Sequence, residues 1–317
     1  MPMSLLSLNC VASTLCHSTI ESRAPGAGST HPRRRTVATV RGYAAGSIRL
    51  LTLLVLSCAA SFDAGAATDH EARTGTYVTV CGDPNNLPFS NDRQEGFENK
   101  IAALIAEELG RKLHYRWWPQ TVGFVRNTLQ VRLCDLIMGI TSVNELVQNT
   151  NPYYRSVYSL VFRSDSGLDI DALDDPRLKT LRLGVVAGTP PATLLTRYGL
   201  MDHTRSYQRT VDTRLYAPAM DAVVDVAKGD LDVAIVWGPL AGYAAKQQTT
   251  ALRVVPLPAQ EDSVQLAFSV SMGIRHRETQ WKHDVNALLQ RNEPRIQAIL
   301  LDYGIPLLDE QDRLISR

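Results

Sequence analysis

No surplus of basic residues marks this 317-residue chain: 33 lysines and arginines stand against 32 acidic residues, a formal net charge of +1. That balance excludes the electrostatic footprint of a nucleic-acid binder, and nucleic acid is not an expected partner. No apolar run approaches the roughly 20 residues a membrane helix needs, so the chain is not expected to span a bilayer. The sequence holds no G-x-S-x-G elbow, no H-E-x-x-H pair and no glycine-rich phosphate loop. Its histidines, among them His70, His114, His203, His276 and His283, are scattered without ligand spacing, so neither a resident metal nor a cofactor is expected. What is present, 44% hydrophobic and 21% charged residues, is the composition of a globular protein with one or two sizeable cores.

The N-terminal part reads as a leader. Arg33, Arg34, Arg35, Arg41 and Arg49 precede the apolar run LLTLLVLS (50–57), and small residues at Ala64, Ala66 and Ala67 follow. A positive region, a short apolar stretch and an A-x-A-like site in that order predict a signal peptide over residues 1–67, its first 30 residues an upstream extension, and a periplasmic product. A lipoprotein site at Cys58 and a membrane anchor are the alternatives. The leader holds six of the 33 basic and two of the 32 acidic residues, so 27 and 30 remain, a net charge of −3. Of the five cysteines, Cys81 and Cys134 remain, in an oxidising compartment where a pair can bridge. Cys81 falls late in one expected strand and Cys134 just before a parallel one, so a bridge depends on their Cα atoms lying within about 7 Å.

Strands and helices alternate through the rest. YVTVC (77–81) reads as a strand, and Phe97, Ile101, Leu104 and Ile105 fall at helical spacing before Gly110. LHYRW (113–117) predicts a strand, 123–131 a helix, and DLIMG (135–139) and VYSLVF (157–162) two buried strands. A second series starts at LRLGVV (181–186). Thr189 before Pro190 is suited to open a helix, Met220, Val223, Val224 and Ala227 are expected to share a helical face, and DVAIV (232–236) reads as a buried strand. VQLAFSVSMGI (264–274) returns as a strand, and helices over 278–290 and 293–303 close the chain. The alternation predicts an α/β protein of two lobes, each a mostly parallel sheet flanked by helices, with its site at the strand C-terminal ends. Lobe I is expected to comprise 68–165 and 263–317 and lobe II 166–262, with a two-strand hinge near 163–168 and 260–265.

The segments GDPNNLPFSN, EGFENKIAALIAEELG, RLCDLIMGIT, NPYY, GVVAGTPP and GDLDVAIVW, in that order, resemble the extracellular solute-binding proteins of family 3, type II periplasmic binding proteins that include amino-acid receptors of ABC importers. DPNNLPFSN (83–91), GFENKIA (96–102), WWPQ (117–120), GFVRNTL (123–129), NPYYRS (151–156) and WGPLAGYAAKQ (237–247) resemble, more narrowly, the quinoprotein dehydrogenase-associated binding proteins of the MoxJ/XoxJ type. That likeness implies a periplasmic accessory of a PQQ-dependent methanol or alcohol dehydrogenase and its c-type cytochrome; an ABC permease is the alternative partner.

An amino-acid receptor of the family places an arginine on the ligand carboxylate and an acidic residue on its ammonium. The expected arginine position holds Leu146, or Val143 in another register, and the acidic position holds Trp237 and Gly238. A zwitterion would then lose hydration at several kcal/mol per ion with no paired charge, so a non-zwitterionic solute or a partner segment is expected instead. The expected cleft set is Asn85, Asn86 and Phe89 after the first strand, Trp118 and Phe124 after the second, and Tyr153, Tyr154, Thr189 and Trp237 at later loops. Trp237 is the strongest functional candidate, Arg126 and Arg155 are candidates for an anion, and lobe packing is the competing role for every aromatic. Glu98, the acidic residue nearest the expected ligand, is the one candidate general acid or base; without a second catalytic group the chain is not expected to be an enzyme.

Overall fold

The computed structural model describes residues 75–141, 144–209 and 212–315. The expected signal peptide and extension, 1–67, and Val143 lie outside them. The strands are β1 (Tyr77–Gly82), β2 (Asn85–Asn86), β3 (Ser90–Asn91), β4 (Lys112–Trp117), β5 (Leu136–Thr141), β6 (Gln148–Asn149), β7 (Tyr154–Arg163), β8 (Leu183–Val186), β9 (Thr204–Tyr207), β10 (Val233–Trp237), β11 (Leu252–Pro256), β12 (Gln260–Glu261), β13 (Val264–Gln265) and β14 (Ala267–Ile274). The helices are α1 (Phe97–Glu108), α2 (Phe124–Asn127), α3 (Pro190–Arg197), α4 (Pro218–Lys228), α5 (Gly238–Gln247), α6 (Thr279–Arg291) and α7 (Glu293–Asp302). The chain is an α/β protein of two lobes. The expected helix over 123–131 shrinks to the single turn of α2, where Gly123 and Arg132 both take positive φ.

Strand order β4-β1-β5-β14-β7-β10-β8-β9 joins both lobes in one path. β4, β1 and β5 run parallel in lobe I, and β10, β8 and β9 in lobe II. Parallel strands bury both faces, and each lobe has two cores accordingly. In lobe I, Val78, Val80, Leu136 and Met138 face α1, α6 and α7, while Cys81 and Ile137 face Phe124, Val125 and Leu129. Ile140 joins Ile137 rather than Met138, against strict alternation, because Gly139 at φ 68° shifts the strand by one position. In lobe II, Leu160, Phe162, Leu183, Val185, Val233 and Ile235 pack on α3, and Val161, Ala234 and Val236 on α4 and α5. The buried face of α4 is Ala222, Val223 and Val226; of the expected set, Val223 is buried and Met220 packs against the same core, while Val224 and Ala227 sit at its margin.

β7 carries the chain between lobes. Tyr154–Val157 pair with β14, whereas Tyr158–Phe162 pair with β10 and Ser159–Arg163 with β11. The return is beside it, where Tyr158 N–H donates to Leu266 O at 3.1 Å and Ala267 pairs with Val157. The hinge expected at 163–168 and 260–265 is therefore displaced: Arg163 is still paired with Leu252, and 260–265 is the β12–β13 hairpin of lobe II. Pattern alone could not separate a strand that ends a lobe from one that runs on into the next. The C-terminal segment also reaches lobe II, since Gly242 of α5 lies against Gly304 and Lys246 Nζ donates to Asp302 O at 2.6 Å.

Candidate functional site

A cavity of about 1110 Å³ opens between the lobes. Lobe I contributes Asn85, Asn86 and Leu87 after β1 and Thr141 at the end of β5; lobe II contributes Gly188, Thr189, Gln208 and Arg209, the start of α4 and Trp237 at the end of β10. The site thus gathers where parallel strands end, as the alternation predicts. The strands that pass between the lobes add Tyr158 and Phe268, and these with Trp237 form a triangle of edge-on rings with centroids 5.2, 6.0 and 6.4 Å apart. Edge-to-face contact is a favoured arrangement of aromatic rings, so the three form one continuous apolar wall.

Of the residues expected in the cleft, Asn85, Asn86, Thr189 and Trp237 line this cavity. The others lie elsewhere, Tyr154 among them, buried in the lobe I core. Phe89 packs into the lobe I core against Phe97, centroids 5.4 Å apart. Trp118, 39% exposed, and exposed Arg126 follow β4, the outer edge strand furthest from lobe II. Phe124 is buried beside the Cys81–Cys134 pair. Glu98 and Tyr153 lie within lobe I, where Tyr153 Oη accepts from Gly139 N–H at 3.2 Å and is hydrogen-bonded to Glu98. Thr189 precedes α3 but does not cap it through its side chain, since its hydroxyl donates to Val186 O at 2.6 Å. Arg155 is paired with Asp312 at 2.6 Å. Leu146 is 38% exposed.

Sulfur atoms of Cys81 and Cys134 are bonded, with Cα atoms 5.6 Å apart. Residue Asp135, next to Cys134, holds the same junction by accepting from Thr79 N–H at 2.9 Å.

Glu98 is 6% exposed, and burial pushes its carboxyl up to about 8, with nearby Asp83 adding to the rise and Tyr153 opposing it. Burial and then Glu98 raise the phenols of Tyr153 and Tyr154 well above their ordinary value. Trp237 donates to the Tyr154 hydroxyl, so the cavity wall rests on this buried group. Glu98 is not among the residues that line the cavity.

Asp83 ties the lobes together. It is 2% exposed; its Oδ1 accepts from Asn85 N–H at 2.9 Å, and its Oδ2 from Gln120 N–H and from Thr213 Oγ1 of lobe II, each at 2.6 Å. Asn85 Nδ2 donates to Thr213 O at 2.9 Å. A local turn alone is what Asp-Pro suggests in sequence, so this role of Asp83 had no sequence signal.

Among the described residues that line the cavity, Arg209 is the only one with a charged side chain, and none is acidic. Tyr158, Phe268 and Arg209 were not in the expected set. The two rings lie inside strands, where an aromatic reads as core, and Arg209 sits in a loop without periodicity. No group of three metal-binding side chains occurs among the described residues, and no described helix is long and apolar enough to cross a membrane.

Residues 78–303 match the family model of bacterial extracellular solute-binding proteins, family 3. Protein MoxJ of Methylorubrum extorquens is 31% identical over 300 residues, covering 87% of this chain and 97% of the relative. The crystal structure of the periplasmic binding protein XoxJ from Methylobacterium extorquens AM1 is 43% identical, with TM-score 0.64, over 74% of this chain and all of that one. The crystal structure of MxaJ from Methlophaga aminisulfidivorans MPT is 29% identical, again with TM-score 0.64, over 73% of this chain and all of that one. The two-lobed architecture is that of the type II periplasmic binding proteins, and the chain belongs to the bacterial extracellular solute-binding proteins of family 3.

Proposed function

We propose that the protein acts in the periplasm as an accessory of a PQQ-dependent methanol or alcohol dehydrogenase, binding the dehydrogenase to aid its maturation or activation and catalysing no reaction itself. The observation that carries this reading is the combination of MoxJ- and XoxJ-type likeness along nearly the whole folded chain with a cavity whose described lining residues include no acidic group for an amino acid's ammonium. Burying an ammonium without a partner costs several kcal/mol, which weighs against amino-acid import. An aromatic wall suits a segment of a partner protein, which gains contact area from Trp and Tyr at little entropic cost. The dehydrogenase's c-type cytochrome is a further partner in this scheme.

Mixing the purified protein with its cognate dehydrogenase tests the proposal. Direct binding, together with a change in activity or in metal and PQQ loading, is expected. Absence of both binding and any such change contradicts it. A cavity of about 1110 Å³ also suits a second reading, the receptor of an ABC importer for a non-zwitterionic solute, which predicts a permease partner and an unaffected dehydrogenase.

A further inference from the structure

Charge in the cavity points to a class of ligand that neither reading names. Arg209 takes part in no ion pair among the described residues; its guanidinium gives one hydrogen bond, from Nη1 to Gly188 O at 2.9 Å, and its other donors are not used in any described hydrogen bond. It belongs to lobe II and lies near Tyr158, whose phenol burial raises to about 12 against the opposing pull of Arg209. Tyr158 therefore stays protonated and can donate beside the guanidinium. Around this pair the wall is apolar: the Tyr158–Trp237–Phe268 triangle, Leu240 and Met220.

We propose that the cavity binds a small monocarboxylate with an aromatic or branched apolar body and no cationic group, its carboxylate held by Arg209 and its body against Tyr158, Trp237 and Phe268. The arginine fork matches a carboxylate bidentately, and a charge-assisted pair is roughly twice as strong as a neutral hydrogen bond. One cation, with no anion among the described lining residues, neutralises one negative charge and leaves a ligand ammonium unpaired. The anchor stands in lobe II, not at Leu146 of lobe I, so a bound anion is held from the opposite side of the cleft from that expected of an amino-acid receptor.

Isothermal titration with three compounds of one skeleton tests this. 3-Phenylpropanoate carries the carboxylate alone, L-phenylalanine adds an α-ammonium, and 3-phenylpropan-1-ol removes the charge. The proposal expects saturable binding of 3-phenylpropanoate, with both other compounds at least roughly tenfold weaker. Arg209→Gln is expected to bring the carboxylate to the level of the alcohol, with the unfolding temperature of the free protein unchanged because the side chain is exposed. Arg209→Lys, which keeps the charge but loses the fork, is expected to fall between. No saturable binding of 3-phenylpropanoate, L-phenylalanine binding as tightly as it, or an unchanged preference in Arg209→Gln would each overturn the proposal. None of these results depends on whether the dehydrogenase binds.

Discussion

Replacing Thr213 with valine removes the hydroxyl that links lobe II to the buried carboxylate of Asp83 and leaves nearly the same shape. The lost bond is 2.6 Å long and its acceptor is 2% exposed and charged, which places its contribution at about 1.5–3 kcal/mol. Asp83 keeps Asn85 N–H and Gln120 N–H, so lobe I stays intact, and the Asn85 Nδ2 bond to Thr213 O survives because that acceptor is backbone. The whole cost therefore falls on lobe closure. At about 1.4 kcal/mol per factor of ten, the open-to-closed ratio rises by roughly ten- to 150-fold. Spin labels on introduced cysteines, one on each lobe, report the change as a new long-distance population in double electron–electron resonance. Thr213→Ser, which restores the donor, is expected to return the distribution to that of the unmodified protein. If the valine and serine variants give the same distances, the link through Asp83 does not hold the lobes.

Three other outcomes follow from the same geometry. Glu98 binds a proton more tightly in the folded state, so its stabilisation is complete below its unfolded value of 4.5 and is lost as pH rises toward about 8. Glu98→Gln should flatten the pH dependence of urea unfolding across that window, with a difference reaching up to about 5 kcal/mol at its alkaline end; parallel curves would contradict the assignment. Breaking the Cys81–Cys134 bridge opens a loop with a sequence separation of 53, and Cys81→Ser with Cys134→Ser should cost about 4 kcal/mol in the same assay. Gly242→Ala places a methyl group onto the Gly304 carbonyl and should destabilise by about 1–3 kcal/mol in urea unfolding, since both backbones are fixed there.

Elements were legible in sequence wherever period and punctuation agreed. Val78, Val80 and Leu136 announce two-sided strands, and Phe97, Ile101, Leu104 and Ile105 announce the face α1 buries. The cleft was legible only at the strand ends: Asn85 and Asn86 follow β1, Thr189 follows β8, and Trp237 ends β10, the strands that end at the gap. Trp118 and Phe124 follow a strand in the same way, yet β4 is the sheet's outer edge, and strand order is not written in local pattern. Tyr158 and Phe268 were hidden for the converse reason. A strand that crosses between lobes exposes in the gap a side chain that looks internal until its partners on both sides are known.

A quinoprotein dehydrogenase, rather than a transporter, is the partner proposed for this binding-protein fold. The most direct test is affinity capture from periplasmic and membrane extract of the native host with the exported protein as bait, and identification of the retained proteins by mass spectrometry. Recovery of a PQQ-dependent alcohol dehydrogenase, with or without its cytochrome, is expected. Recovery of an ABC permease without any dehydrogenase would contradict it and make the protein a transport receptor.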